Sequence, residues 1–157
     1  MEQKDKKFLM QAIEISVKNI DKGGGPFGAL IVKGDRVIST SGNHVTRHND
    51  PTAHAEIEAI RRACKELDTF SLEGCTLYSS CEPCPMCLGA IYWARLDKVV
   101  FAASKEDAKG AGFDDSFIYE ELRKPIQERN IPTYQILREE ALEAFNKWED
   151  TEDKIDY

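Results

Sequence analysis

The chain has 157 residues, 41% of them apolar and 31% charged, with a net charge of −7. That length fits one domain with a real core, and the balance excludes a disordered or fibrous chain. No apolar run approaches the roughly 20 residues of a membrane span, and an acidic surface works against gripping a phosphate backbone. Met1 to Lys7 is mostly charged and no apolar leader core follows, so export is not expected and the cytosol is the expected compartment.

Residues 3–21 carry Phe8, Leu9, Ala12, Ile13, Ser16 and Ile20 at helical spacing, which predicts an amphipathic helix ended by Gly23-Gly24-Gly25-Pro26. Ala29 to Val32 and Arg36 to Thr40, separated by Lys33-Gly34-Asp35, predict an antiparallel hairpin whose first strand is buried on both faces. The polar stretch from Asn43 to Pro51 is expected to be a loop. Thr52 is the expected cap of the next helix, which buries Ala59, Ile60, Ala63, Cys64 and Leu67. Cys75 to Ser79 is a strand, Pro85 to about Ala94 a helix with a first-turn proline, and Lys98 to Ala103 a strand again. Strand, helix, strand at that spacing implies a right-handed parallel crossover. Lys105 to Asp115 is expected to be a glycine-containing loop, Ser116 to Lys124 a short helix, Thr133 to Leu137 a fifth strand, and Glu139 to Trp148 a helix. The acids of residues 149–157 predict a solvated tail. The expected architecture is a single layered α/β domain over 1–157 with a five-stranded mixed sheet.

The five cysteines stand at 64, 75, 81, 84 and 87. An odd number with a tight cluster, in a chain without an export signal, points to metal binding and not to disulfides. Cys84 and Cys87 are three apart at a helix start, so both sulfurs can reach one ion. His54 and Glu56 lie about 200° apart around a helix and share no mid-helix face. Both can reach a point just beyond the helix N-terminus, where the positive end of the helix favours thiolates. His54-x-Glu56 with Pro83-Cys84-x-x-Cys87 is the pattern of the zinc deaminases: three protein ligands, one position left for water, and a carboxylate to move protons. Cys81 leaves a second reading open, a closed structural site of three cysteines and His54. An iron–sulfur run would need a cysteine where Ile91 stands. Cys64 and Cys75 are expected to be inert core residues, and His44 and His48 solvated.

With these motifs in place the chain resembles the cytidine-deaminase-like superfamily, and more narrowly the bacterial guanine deaminases of that fold. The matching segments are Gly24 to Gly28, Asn49 to Glu56, Cys81 to Arg95 and Ala111 to Phe117. The zinc motif marks only the superfamily, whereas the Phe113-Asp114-Asp115 segment and the terminal tyrosine narrow it. The resemblance implies a three-layer α/β/α fold, one Zn2+ per subunit on His54, Cys84 and Cys87, and guanine as substrate, giving xanthine and ammonia. It further implies that Asn43 hydrogen-bonds the purine, Phe27 packs on its ring, the Ala55 amide faces the ring edge and Trp93 lines the pocket. Glu56 and Asp115 would be the two catalytic acids, with Asp114 a capping residue. The family's exchanged C-terminal segment would place Tyr157 over the site of a second copy in a homodimer. Two alternatives stand: a tRNA adenosine deaminase or other nucleobase deaminase on the same zinc chemistry, and a zinc-stabilised binding module without catalysis.

Overall fold

Helix α1 (Gln3–Asp21) presents Asp5, Phe8, Ala12, Ser16 and Asn19 to the interior. Those spacings of three and four follow the helical repeat. Asn19 continues the row where Ile20 was expected, and Ile20, a further ~100° around, is exposed. The description comes from a computed structural model and covers residues 3–157. These form two compact units, the first ending at Asp115 and the second spanning Ser116–Tyr157.

In the first unit β1 (Gly28–Lys33) and β2 (Arg36–Gly42) form the expected antiparallel hairpin. It turns on Gly34, whose φ of 61° a residue with a Cβ adopts only under strain. Strand β3 (Cys75–Cys81) pairs antiparallel with the other edge of β1. Strand β4 (Lys98–Ala103) pairs parallel with β3 after the crossover helix α4 (Pro85–Trp93), as the spacing required. The order is β2-β1-β3-β4. Because side chains alternate along a strand, β1 divides its residues between two cores. Leu30 and Val32 meet Phe8 and Ala12 of α1 together with Tyr78 and Val100. Ala29 and Ile31 meet Ala55, Ala59, Ile60 and Ala63 of α3 (Ala55–Leu67), with Leu77 and Ile91. Helices therefore cover both faces of the sheet, and Cys75 and Cys64 pack in the second core as expected.

Among the described residues the sheet has four strands, not five. Thr133 to Leu137 forms no ladder, its large side chains are exposed, and Leu137 takes a left-handed φ of 56°. Apolar residues alone do not make a strand: without a partner edge the run gains no ladder hydrogen bonds. Two expected loops also contain helix. Val45–His48 makes one turn, α2. Lys105–Gly110 makes α5, closed at its start by a reciprocal capping box between Ser104 and Asp107.

The second unit contains α6 (Ser116–Arg123), a 3-10 turn at Ile126–Glu128 and α7 (Arg138–Glu149). None of its large apolar side chains is fully buried, and Phe117, Leu122, Ile131, Tyr134, Ile136 and Phe145 are exposed.

One polar cluster ties α1 to the sheet. The Tyr78 hydroxyl donates to Asp5 at 2.7 Å, and the Lys98 ammonium reaches the same carboxylate at 2.8 Å. Asp5→Ala is expected to cost about 2 kcal/mol, because it removes a buried acceptor that both groups share. The urea midpoint reads this, and a midpoint equal to the parent's would contradict it.

Candidate active site

Two helix starts meet at the C-terminal end of β3. His54 is the N-cap of α3 and Cys84 the N-cap of α4, both with extended backbone, and neither side chain caps its own helix. Thr52 was the expected cap, but its backbone N–H and hydroxyl both bind the Asp50 carboxylate. This leaves His54 at the helix end with its ring turned elsewhere. His54 Nδ1 lies 3.6 Å from Cys84 Sγ and 3.5 Å from Cys87 Sγ. A zinc ion at about 2.1 Å from nitrogen and about 2.3 Å from sulfur, with tetrahedral angles, sets such atoms about 3.6 Å apart. The three donors therefore fit a single zinc ion. Among the described residues they group as one candidate metal triad, which includes neither Glu56 nor Cys81.

The electrostatics follow from burial and from those helix ends. Cys84 is drawn down to about 4 by the Cys87 thiol donating to it and by His54. His54 is raised above its ordinary value by its bond to Cys84. A thiol held that low, at the positive end of α4, suits a metal ligand. Cys81 behaves differently. Its thiol donates to the Ser104 carbonyl at 3.5 Å, and burial pushes it up to about 11. Cys81 is therefore not among the donors that the fold brings together with His54.

Glu56 is 6% exposed, and the Ser79 hydroxyl donates to its Oε1 at 3.4 Å. Burial raises its carboxyl above the usual range, so it can hold a proton where a surface glutamate would not. Asp115 is half-buried, and burial followed by the charge of Cys84 raises it too. Asp114 instead pairs with Lys109 at 3.3 Å.

The expected substrate residues have the following surroundings. The Asn43 N–H donates to the Phe27 carbonyl at 3.1 Å, tying those two positions together. Asn43 is buried, and its Oδ1 accepts the Val45 N–H. Phe27 meets Phe113 edge to face, with ring centres 4.9 Å apart. Ala55, fully buried, is the first residue of α3, where backbone N–H groups have no intrahelical acceptor. Trp93 is exposed at the end of α4, about 240° around that helix from Cys87. Tyr157 belongs to the second unit and is exposed there.

The sequence reading missed the surroundings of three residues in this region. Asn19 donates to the carbonyls of Gly25 (2.8 Å) and Asn43 (2.9 Å), and a Cβ at Gly24 or Gly42 would collide with it. Its signal was a polar residue in the buried row of an amphipathic helix. Ser79 left no signal beyond a hydroxyl in a buried strand. His44, expected to be solvated, is buried at 8% exposure, because its N–H joins the Ala53 carbonyl and draws the loop onto α3.

The family profile described as the cytidine and deoxycytidylate deaminase zinc-binding region matches residues 2–103. A guanine deaminase of Bacillus subtilis is 54% identical over 151 residues, covering 96% of this chain and 97% of the relative. A tRNA-specific adenosine deaminase of Aquifex aeolicus is 39% identical, covering 90% and 82%. Among solved structures, the Bacillus subtilis guanine deaminase aligns at a TM-score of 0.95 and 52% identity, over 100% of this chain and 99% of that one. Guanine deaminase from Nitrosomonas europaea aligns at 0.65 and 35%, over 69% and 63%.

Proposed function

The chain belongs to the cytidine and deoxycytidylate deaminase zinc-binding family, and from that premise we propose that it is a guanine deaminase, hydrolysing guanine to xanthine and ammonia. The near end-to-end likeness to a guanine deaminase carries this reading, where the zinc motif alone would not.

His54, Cys84 and Cys87 would hold the zinc ion. What zinc supplies when bound is the activation of a water molecule as a nucleophile near neutral pH. Glu56 would take the proton of the attacking water and pass it to a ring nitrogen as the hydroxyl adds to the carbon bearing the 2-amino group. Glu56 would then take the proton of the added hydroxyl and deliver it to the amine, so that the carbon–nitrogen bond breaks as the carbonyl forms and ammonia leaves. The raised carboxyl of Glu56 suits both halves of the task, since it must accept and then release a proton near neutral pH. Asp115 is the second acid, near the departing amine. Asn43 hydrogen-bonds the purine, the Ala55 N–H meets the ring edge, and Phe27, braced by Phe113, packs on the ring.

Asn19 is a positioning residue for this pocket. Asn19→Ala removes the donor to two carbonyls and is expected to cost about 2 kcal/mol in stability. Its specific mark is a KM for guanine raised about tenfold with zinc content unchanged, since it sets the register of Phe27 and Asn43. A parent-like KM would restrict Asn19 to a structural role.

The enzyme works as a homodimer with its C-terminal segment exchanged, bringing Tyr157 to the site of the second copy and leaving Trp93 to line the pocket. The exposed apolar residues of the second unit support this, because such surface is usually covered in an assembly. Among the described residues no helix is long and apolar enough to cross a membrane. The test of the activity is incubation of guanine with the zinc-loaded protein. Xanthine and ammonia in equal amounts are expected, and unchanged guanine at full zinc content would overturn the reading.

A further inference from the structure

Outside the catalytic site, a second set of metal-ligating side chains comes together. His44 and His48 stand four residues apart across α2, with the His48 N–H bonded to the His44 carbonyl at 2.9 Å and the rings 4.7 Å apart. Two histidines at that spacing lie on one helical face, an arrangement suited to a shared ion. Glu58, from the first turn of α3, brings its Oε2 to 3.9 Å from His44 Nδ1. A donor atom from each of the three residues lies within 4.8 Å of the others.

The buried His44 Nδ1 has no hydrogen-bond partner, and 3.9 Å is too long to count as one. A buried polar nitrogen left unpaired costs free energy, so its position invites a ligand. We propose that His44, His48 and Glu58 form a second metal site, taking a divalent transition ion that prefers nitrogen, such as zinc. Two imidazoles and one carboxylate select such ions over calcium or magnesium, which favour oxygen.

The cations around Glu58 do not close the site. Arg61 and Arg62 both approach its carboxylate, at 3.0 and 3.8 Å. Each has another acceptor: Arg61 reaches Asp50 and Thr52, and Arg62 donates to the Thr40 carbonyl at 2.8 Å. Glu58 can therefore turn Oε2 to an ion without stranding either guanidinium, and its two oxygens have lone pairs enough for both roles. The site borders Asn43, and an ion there would tether the loop that carries it.

The test loads the full chain with one zinc per subunit, then dialyses it against free zinc and counts bound metal. The parent is expected to take up a second equivalent. In His48→Ser, whose altered side chain is exposed, that equivalent is expected to bind at least about tenfold more weakly, since even groups that merely support a ligand are worth 10–100-fold. The first equivalent and the basal turnover of this variant stay at parent levels, which shows that it is folded. Glu58→Gln weakens the second equivalent as well. A parent that binds no second zinc, or a second zinc held equally well by His48→Ser, overturns the proposal.

Discussion

Glu56→Gln is expected to lower kcat/KM by about 10²–10⁴-fold, the range for loss of a general acid–base group, with zinc content unchanged. The amide is nearly isosteric, so it fills the same buried space and still accepts from Ser79. It cannot carry a proton between water, ring and amine. Glu56 also stands outside the metal triad, so the three ligands remain in place. Activity measured beside metal content by atomic absorption separates the possibilities. Parent-like turnover with full zinc would remove Glu56 from the proton path, and loss of zinc would make it a ligand.

Cys87→Ala is expected to abolish both zinc binding and activity and to lower stability. Cys87 is fully buried and supplies one of three donors. A ligand that binds only the folded state, present at a thousand times its dissociation constant, contributes about 4 kcal/mol. The variant should therefore unfold early, at a midpoint that no longer responds to a chelator, whereas the parent's midpoint should fall when chelator is added. Cys81→Ala is the matched control, and it should retain a full zinc ion because its thiol bonds to Ser104 instead. Zinc loss in Cys81→Ala would restore the closed structural site.

Much of this was legible before any coordinates, and for physical reasons. Metal ligands must converge on one point and helix starts converge their first residues, which is why the His54-x-Glu56 and Pro83-Cys84-x-x-Cys87 pattern of the zinc deaminases reads as one site, and the fold groups His54, Cys84 and Cys87. The parallel crossover followed from the short path between Ser79 and Lys98. The losses occurred where local signals competed. Glycines at 110 and 112 masked the Ser104–Asp107 capping box, although both of its residues stand in the sequence. Thr133 to Leu137 has strand composition, but strand formation depends on a partner that composition does not reveal. His44 reads as a polar loop residue, and only the fold shows that the loop lies on α3 beside Glu58. Asn19 was hidden by the habit of filling a buried stripe with apolar residues, where here the two carbonyls it serves decide the choice.

The central claim is that the pocket selects guanine. It is tested most directly by ammonia release from guanine, guanosine, adenine, cytosine and an anticodon-loop RNA, each with zinc-loaded protein and with Glu56→Gln as control. Turnover of guanine far above the other four, lost in the control, is the predicted result. Preferential turnover of the RNA or of cytosine would preserve the metal chemistry and contradict the pocket assignments of Phe27, Asn43 and Asp115. Silence on all five at full zinc content would contradict the account as a whole.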